Sequence, residues 1–430
     1  MQQLRPSFWN SLPGPEDITR VVLPNGIIIL TRSNFASPSV VLNGYLSSGC
    51  MHDPDDKLGM AYFTSLSLMR GTKKQSFHEI YDALESAGAS LGFSASIHNT
   101  NFSGRALSED LPLLLKTLAE CILQPAFTPD QVERLRAQIL TGLAIRAQDT
   151  GETASLKFDE VIFPKHPYGR PEEGYPKTIQ AITRADLEEF HRNHYGPQNL
   201  VVVIVGAVSP QQAIEEVQRA LGDWQNPLQV EPLAFPPVRH LKKSIRKHLP
   251  LPGKSQTDLV MGSVGPHRNS PDFLAASLGN SVLGQFGMMG RIGDVVREKA
   301  GLAYDASTSL NSWIASGTWE VSAGVNPVNL QKAIDLIISE LTRFVKEPVS
   351  LEELQDSQSN YIGRLPLSLE SNAGVAGALL NLERFHLGLD YYRRYPAMVE
   401  AVTPEQILET ARHFLDPDKL AIISSGPELV

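Results

Sequence analysis

Apolar residues recur along this chain in two alternating spacings, and the whole alternation comes round twice. Residues 178–206 read TIQAITRADLEEFHRNHYGPQNLVVVIVG, apolar at intervals of three and four before the unbroken run Val201–Val205. Residues 398–426 read MVEAVTPEQILETARHFLDPDKLAIISSG and repeat that order 220 positions later without a gap. The first spacing predicts an amphipathic helix, and the β-branched run predicts a buried strand. Thr183 and Thr403 open the two helices, with Asp186 or Gln406 three positions on to return the cap. Pro197 and Pro417 close the connections, and Gly206 and Gly426 end the strands.

Earlier segments pair at nearly the same offset. Ser108–Ile122 and Asn326–Leu341 read as capped amphipathic helices, and Thr128–Gln131 and Ser350–Glu353 as capping boxes opening long helices. Ala89–Ile97 and Asn101–Leu107 read as antiparallel strands. Asp223–Val238 carries Pro227, Pro232, Pro236 and Pro237 with little periodicity, as a linker does. The expected architecture is α+β by internal duplication: two homologous halves, each an antiparallel-rich sheet packed with helices. The N-terminal half covers 1–222, a Pro-rich linker 223–240 and the C-terminal half 241–430.

Composition narrows the class. The 430 residues exceed what one core organises, so about two to four domains are expected. Lys plus Arg number 38 against 47 Asp plus Glu, a net charge of −9 that argues against a general nucleic-acid binder. The basic run His240–His248 alternates with apolar residues and reads as a charge-protected edge strand. Cys50 and Cys121 are too few for a disulfide framework and fit buried residues in a reducing compartment. Met1–Pro6 has no apolar core of signal-peptide length and no stretch approaches a membrane span, so the expectation is a soluble cytoplasmic protein without membrane contact.

Four segments together resemble the family of pitrilysin, insulinase and mitochondrial processing peptidase: LPNGIIIL (Leu23–Leu30), SGCMHDPDDKLGMAYF (Ser48–Phe63), FHRNHYGPQNLVVVIVG (Phe190–Gly206) and GRIGDVVREKAGLAYDAS (Gly290–Ser307). The resemblance spans essentially the whole chain, and its short length is similar to the bacterial and organellar branch, where two such chains enclose a peptide chamber. Catalytic members carry H-x-x-E-H in a helix like G-L-A-H-F-L-E-H, with a glutamate ligand roughly 75 residues on. Here the helix at 59–70 begins Gly59-Met-Ala-Tyr62-Phe-Thr-Ser65-Leu66. Tyr62 and Leu66 stand at the histidine positions, Ser65 at the glutamate base, and Thr141 or Gly142 near the third ligand. Leucine and glycine offer no donor, neutral tyrosine is a poor one, and a serine hydroxyl cannot take a proton from metal-bound water. The resemblance therefore implies no catalytic residue and no cofactor in this chain, with Tyr62, Ser65, Leu66 and Gly142 as degenerate zinc-site positions. His191 and His194 have helical i, i+3 spacing that could hold metal, but a solvent-facing pair at a helix end is the expectation.

The non-catalytic chain of this family contributes an arginine and a tyrosine seven residues apart that bind substrate near the cut bond. The matching residues are Arg297 and Tyr304. Locally, Arg291–Ala300 reads as a helix, Gly301 as its C′ residue and Leu302 as a strand start. The residues alone leave a plainer alternative open: a surface ion pair for Arg297 and half-buried packing for Tyr304. Gly284, Gly287 and Gly290 resemble the family's glycine-rich loop, without the Gly-Lys-Ser/Thr of a phosphate cradle. The resemblance implies a half-enzyme whose partners are a homologous zinc-bearing catalytic subunit and peptide substrates, and it leaves room for a homodimer of the isolated chain. The alternative is a peptidase-inactive structural or peptide-binding homologue, like the core subunits of respiratory complexes.

Overall fold

The computed structural model describes residues 12–231, 233–285 and 290–428. It contains two sheets, each in its own compact unit. The first is built from β1 (Thr19–Val22), β2 (Ile28–Ser33), β3 (Ser39–Leu46), β4 (Ser90–Ala95), β5 (Thr100–Leu107) and β6 (Val201–Gly206), in the order β1-β2-β6-β3-β5-β4. The second is built from β7 (Ile245–Pro250), β8 (Thr257–Gly265), β9 (Ala303–Ser312), β10 (Gly317–Val325) and β11 (Ala421–Gly426), in the order β7-β11-β8-β10-β9.

Apart from β1, the two orders superimpose. β6 runs parallel to β2 and antiparallel to β3, just as β11 runs parallel to β7 and antiparallel to β8. The helices Arg184–His194 and Pro404–Phe414 begin with reciprocal capping boxes at Thr183 and Thr403. The glycines ending the repeat strands share a cause. A Cβ on Gly206 would lie 2.2 Å from the Ser39 carbonyl oxygen, and one on Gly426 would lie 2.4 Å from Thr257 Oγ1. β7 is an edge strand with exposed Arg246 and Lys247, as expected of the basic run. It covers only Ile245–Pro250, however, leaving 240–244 outside any strand, and its two successive exposed residues do not follow the alternation.

The units do not follow the two sequence halves. Of the described residues, those within 12–143, 171–234 and 366–393 form the first, and those within 144–170, 235–365 and 394–428 the second. Each half hands one helix to the other. Asn372–Arg384 packs on β6 and β3, while Thr150–Ile162 packs on β11 and β8. The two helices are themselves repeat equivalents: Asp149 caps the first through the Glu152 N–H, and Ser371, 222 positions later, caps the second through the Gly374 N–H. This explains why every residue of β6 and of β11 is buried, since a strand covered on both faces has no polar side. Contiguous halves were expected because a repeat reveals equivalence and not which sheet a helix covers.

In the first unit, Leu111–Leu123 and Pro210–Leu221 pack together and reach β5 and β2. Their apolar faces join Phe63, Leu68 and Ile204 in one cluster of near-zero exposure, each such side chain contributing about 1.5–3 kcal/mol. In the second, Phe273–Gly284 packs on β9 and on Pro404–Phe414. Buried Trp319 donates to Asn280 Oδ1 at 3.0 Å, which satisfies the one polar atom of that ring. Cys50 and Cys121 are both free and buried. No helix among the described residues is long and apolar enough to cross a membrane.

Candidate functional site

The segment carrying Arg297 is not the single α-helix expected over 291–300. One α-helical turn spans Gly290–Gly293, and the chain then widens into a π-helical turn over Asp294–Glu298. Lys299 N–H accordingly reaches back five residues to the Asp294 carbonyl at 2.9 Å. Both ends are fixed, which forces the extra residue into a wide turn. At the start, Arg291 Nε and Nη2 donate to Glu353 Oε1 and Oε2, each at 2.7 Å. At the end, Gly301 takes φ +62° and Leu302 N–H closes on the Val296 carbonyl at 3.0 Å.

Glu353 is held in turn by the capping box read from the sequence. Its Oε2 accepts the Ser350 N–H at 2.8 Å, and its own N–H donates to Ser350 Oγ at 3.2 Å. The Arg291 fork, assisted by those Ser350 contacts, brings the Glu353 carboxyl down to about 2. Arg291 Nη1 also lies 3.7 Å from Glu340, which Arg343 pairs at 2.7 Å. Sequence reasoning missed Arg291 as an anchor. The box Ser350–Glu353 was its only visible half, because nothing local links positions 62 residues apart.

Tyr304 leaves this turn at the start of β9, in a bulge. Ala306 pairs with Ala323 and Ala303 with Val325, so Tyr304 and Asp305 together oppose Gly324. A bulge re-aims a side chain, and Tyr304 is 89% exposed. The Arg297 guanidinium carbon lies 5.7 Å from the Tyr304 ring centroid, within cation–π range. Arg297 Nε also lies 3.3 Å from Glu298 Oε1, an exposed neighbour worth little. The turn and the bulge thus place one guanidinium and one phenol side by side, the phenol almost wholly in solvent. Half-buried packing of Tyr304 is excluded by its exposure.

In the first unit, the helix Met60–Ser67 starts at Gly59, whose N–H donates to Asp53 Oδ2 at 2.8 Å while Ala61 N–H donates to Oδ1 at 2.9 Å. Tyr62 and Leu66 pack partly buried against the apolar cluster. Ser65 is fully buried and its hydroxyl donates to the Tyr62 carbonyl at 2.8 Å. Gly142 lies on the exposed side of Pro129–Arg146, and Thr141 Oγ1 donates to the Ala137 carbonyl at 2.9 Å.

The profile described as Insulinase (Peptidase family M16) matches residues 28–156, and that described as Peptidase M16 inactive domain matches 181–361. The chain belongs to peptidase family M16. A Mycobacterium tuberculosis protein named an uncharacterized zinc protease is 26% identical over 402 residues, 92% of this chain and 90% of the relative. A Bacillus subtilis protein of similar name is 23% identical over 82% of this chain and 85% of its own length. The crystal structure of a peptidase M16 inactive domain from Pseudomonas fluorescens matches with a TM-score of 0.89 and 26% identity, covering 96% of this chain and 98% of that one. A Helicobacter pylori protease, 19% identical and covering 97% of this chain and 100% of its own, shares the fold at a TM-score of 0.87.

The zinc of M16 peptidases does not fit the residues this M16 chain offers. Leu66 and Gly142 carry no donor, and the Ser65 hydroxyl is spent on its own helix. Among the described residues no three His, Cys, Asp or Glu side chains gather as a metal would require. His191 and His194 are not the solvent-facing pair expected. His191 Nε2 lies 2.8 Å from the Ile122 carbonyl oxygen. The His194 ring lies 4.6 Å from His52, and burial, then the neighbouring His52, brings its pKa down to about 4. The helix packs its end inward, and i, i+3 spacing does not say which face that is.

Of the glycine-rich loop, Gly287 lies outside the described residues. Gly284 is not in a loop: it is the last residue of the helix Phe273–Gly284, and a Cβ there would lie 2.4 Å from Thr308 Oγ1 on β9. Its smallness serves helix-to-strand packing.

On β10, Glu320 opposes Ser309 and Gly262 and accepts from Asn311 Nδ2 at 2.8 Å. Burial pushes its carboxyl up to about 7. A raised carboxyl favours the fold below its unfolded value near 4.3 and loses that contribution as pH rises through about 7. Glu320→Gln is therefore expected to match the native chain in melting temperature at pH 4 and exceed it at pH 8. Parallel melting curves at both pH values would overturn this.

Proposed function

We propose that this M16 chain is the non-catalytic subunit of a two-chain zinc metallopeptidase. It completes a peptide-enclosing chamber and presents Arg297 and Tyr304 to a substrate held at the zinc site of a homologous catalytic partner. The observation that carries the reading is Tyr304, 89% exposed on its bulge with the Arg297 guanidinium 5.7 Å from its ring. Exposing a tyrosine ring in this way forgoes its burial, which a partner or substrate would restore. The chain's own degenerate donor set at Tyr62, Ser65, Leu66 and Gly142 and the neighbour titled an inactive domain support the same reading. So do the relatives named zinc proteases, since a zinc-bearing homologue is what the partner must be.

The chemistry follows from the two side chains. A guanidinium fork and a phenolic O–H each donate to a peptide carbonyl, and both bonds strengthen as that oxygen gains negative charge. Main-chain recognition tolerates varied side chains, so the substrates are unfolded peptides of mixed sequence. A cytoplasmic location is part of the proposal.

The test is cleavage of a quenched fluorescent peptide by the zinc-bearing homologue of the same organism, with and without this chain. A large rise on mixing, with nothing from this chain alone, is the expected result. No rise with any such homologue would leave a peptidase-inactive structural role.

A further inference from the structure

We infer that the cleft between strands β3, β5 and β4 and the helix Asn372–Arg384 is a binding site for a carboxylate-bearing peptide, with the carboxylate held by Arg384. The cleft has a volume of about 480 Å³; Asn43, Asn101, Asn381 and Arg384 are among its polar lining, and Phe93, Phe102 and Leu380 are apolar. It lies wholly within the first unit and uses neither Arg297 nor Tyr304. The inference thus goes beyond the half-enzyme reading.

Arg384 is the reason to expect an anion. It is half-buried, yet among the described residues no carboxylate pairs with it. Its Nη2 donates to Asn101 Oδ1 at 2.8 Å, and its guanidinium carbon sits 4.8 Å from the Tyr45 ring centroid. Tyr45 stays protonated, its pKa raised to about 12 by burial. Arg384 Nε is buried with no acceptor. The adjacent carboxylate, Glu383, is committed elsewhere: both its oxygens accept from Arg20 at 2.8 Å. A guanidinium drawn out of water among neutral groups is under-compensated, and a carboxylate matches its planar fork.

The rest of the lining selects among anions. Asn43, Asn101, Asn381 and Ser94 offer neutral donors and acceptors, which suit a peptide main chain. Among the described residues no second cation lines the cleft beside Arg384, whereas a phosphate dianion calls for a cluster of them. The volume admits a short peptide segment. The carboxylate can come from an acidic side chain or from a peptide C-terminus, and the two arms of one experiment separate them.

That experiment is calorimetric titration of the full chain, without any partner, using three capped alanine pentapeptides: one with a central glutamate and an amidated end, one with a free C-terminus, and one neutral. At least one acidic peptide is expected to bind about tenfold or more tighter than the neutral one. Which one binds identifies the source of the carboxylate. Arg384→Gln should remove that preference and leave neutral-peptide binding unchanged. Asn381→Asp, at an exposed lining position, places a fixed carboxylate in the cleft and should weaken acidic binding with Arg384 intact. The titration uses this chain alone and reads no cleavage, so its outcome is scored separately from activation of a partner. Equal binding of the three peptides, or an acidic preference that survives Arg384→Gln in a folded chain, overturns the inference.

Discussion

Arg297→Ala is expected to lower peptide cleavage by the assembled pair about a hundredfold, mostly in kcat. A preorganised donor aimed at developing charge acts in the transition state more than in the ground state, and removing one costs about 2.7–4 kcal/mol. The loss should appear without loss of fold. Arg297 is paired with the exposed neighbour Glu298 at 3.3 Å, a contact worth about 0–1 kcal/mol. Tyr304→Phe keeps the ring beside the guanidinium and removes only the hydroxyl, so its effect should be smaller and again in kcat. Arg297→Lys keeps the charge but not the fork and should fall between the native chain and alanine. An Arg297→Ala complex that assembles and cleaves at the native rate would remove this residue from the proposed role.

The largest stability change is expected at Arg291, which the activity does not use directly. Arg291→Met takes both fork contacts from Glu353 and leaves Glu340, 6% exposed, with Arg343 alone. Removing one member of a fully buried ionic network costs about 3–5 kcal/mol, because the remaining charges keep their desolvation penalty, and the cost here is smaller because solvent reaches Glu353 and Arg343. The urea midpoint should fall accordingly, and Glu353→Gln added to Arg291→Met should recover part of the loss. The pH dependence gives a second readout. Glu353 is depressed to about 2, so its contribution is complete above its unfolded value near 4.3 and disappears as pH falls toward about 2. That acid loss should shrink in Arg291→Met. A small midpoint change with an unchanged acid limb would mean the network does not anchor the π turn.

What could be read from the sequence was whatever local chemistry decides. The boxes at Thr183, Thr403 and Ser350 form as written, and the run Val201–Val205 is buried throughout. What could not be read depends on contacts distant in sequence. The pattern of Arg291–Ala300 is helical, but Glu353 on one side and the Gly301 turn on the other widen it. The bulge at Tyr304 comes from register against β10, which a single strand does not contain. Arg384 reads as an ordinary basic residue ending a helix, and only the fold brings it to Asn101 and Tyr45. The seven-residue spacing of Arg297 and Tyr304 was visible, whereas the exposure that gives it meaning was not.

The traded helices also set an order of events at the ribosome. The first sheet has all its strands once Gly206 is made, yet the helix that closes the face of β6 and β3 is residues 372–384. Until then the Val201–Val205 strand waits with one side bare, through the synthesis of a linker and most of a second sheet. The second unit has the opposite timing: its covering helix, Thr150–Ile162, emerges before any of the strands it will lie on. Neither half can finish alone, so a nascent chain stalled after the linker exposes one apolar sheet face and one unclaimed amphipathic helix. Such a chain is a substrate for chaperones, and two fragments divided at residues 223–240 should fold only when made together.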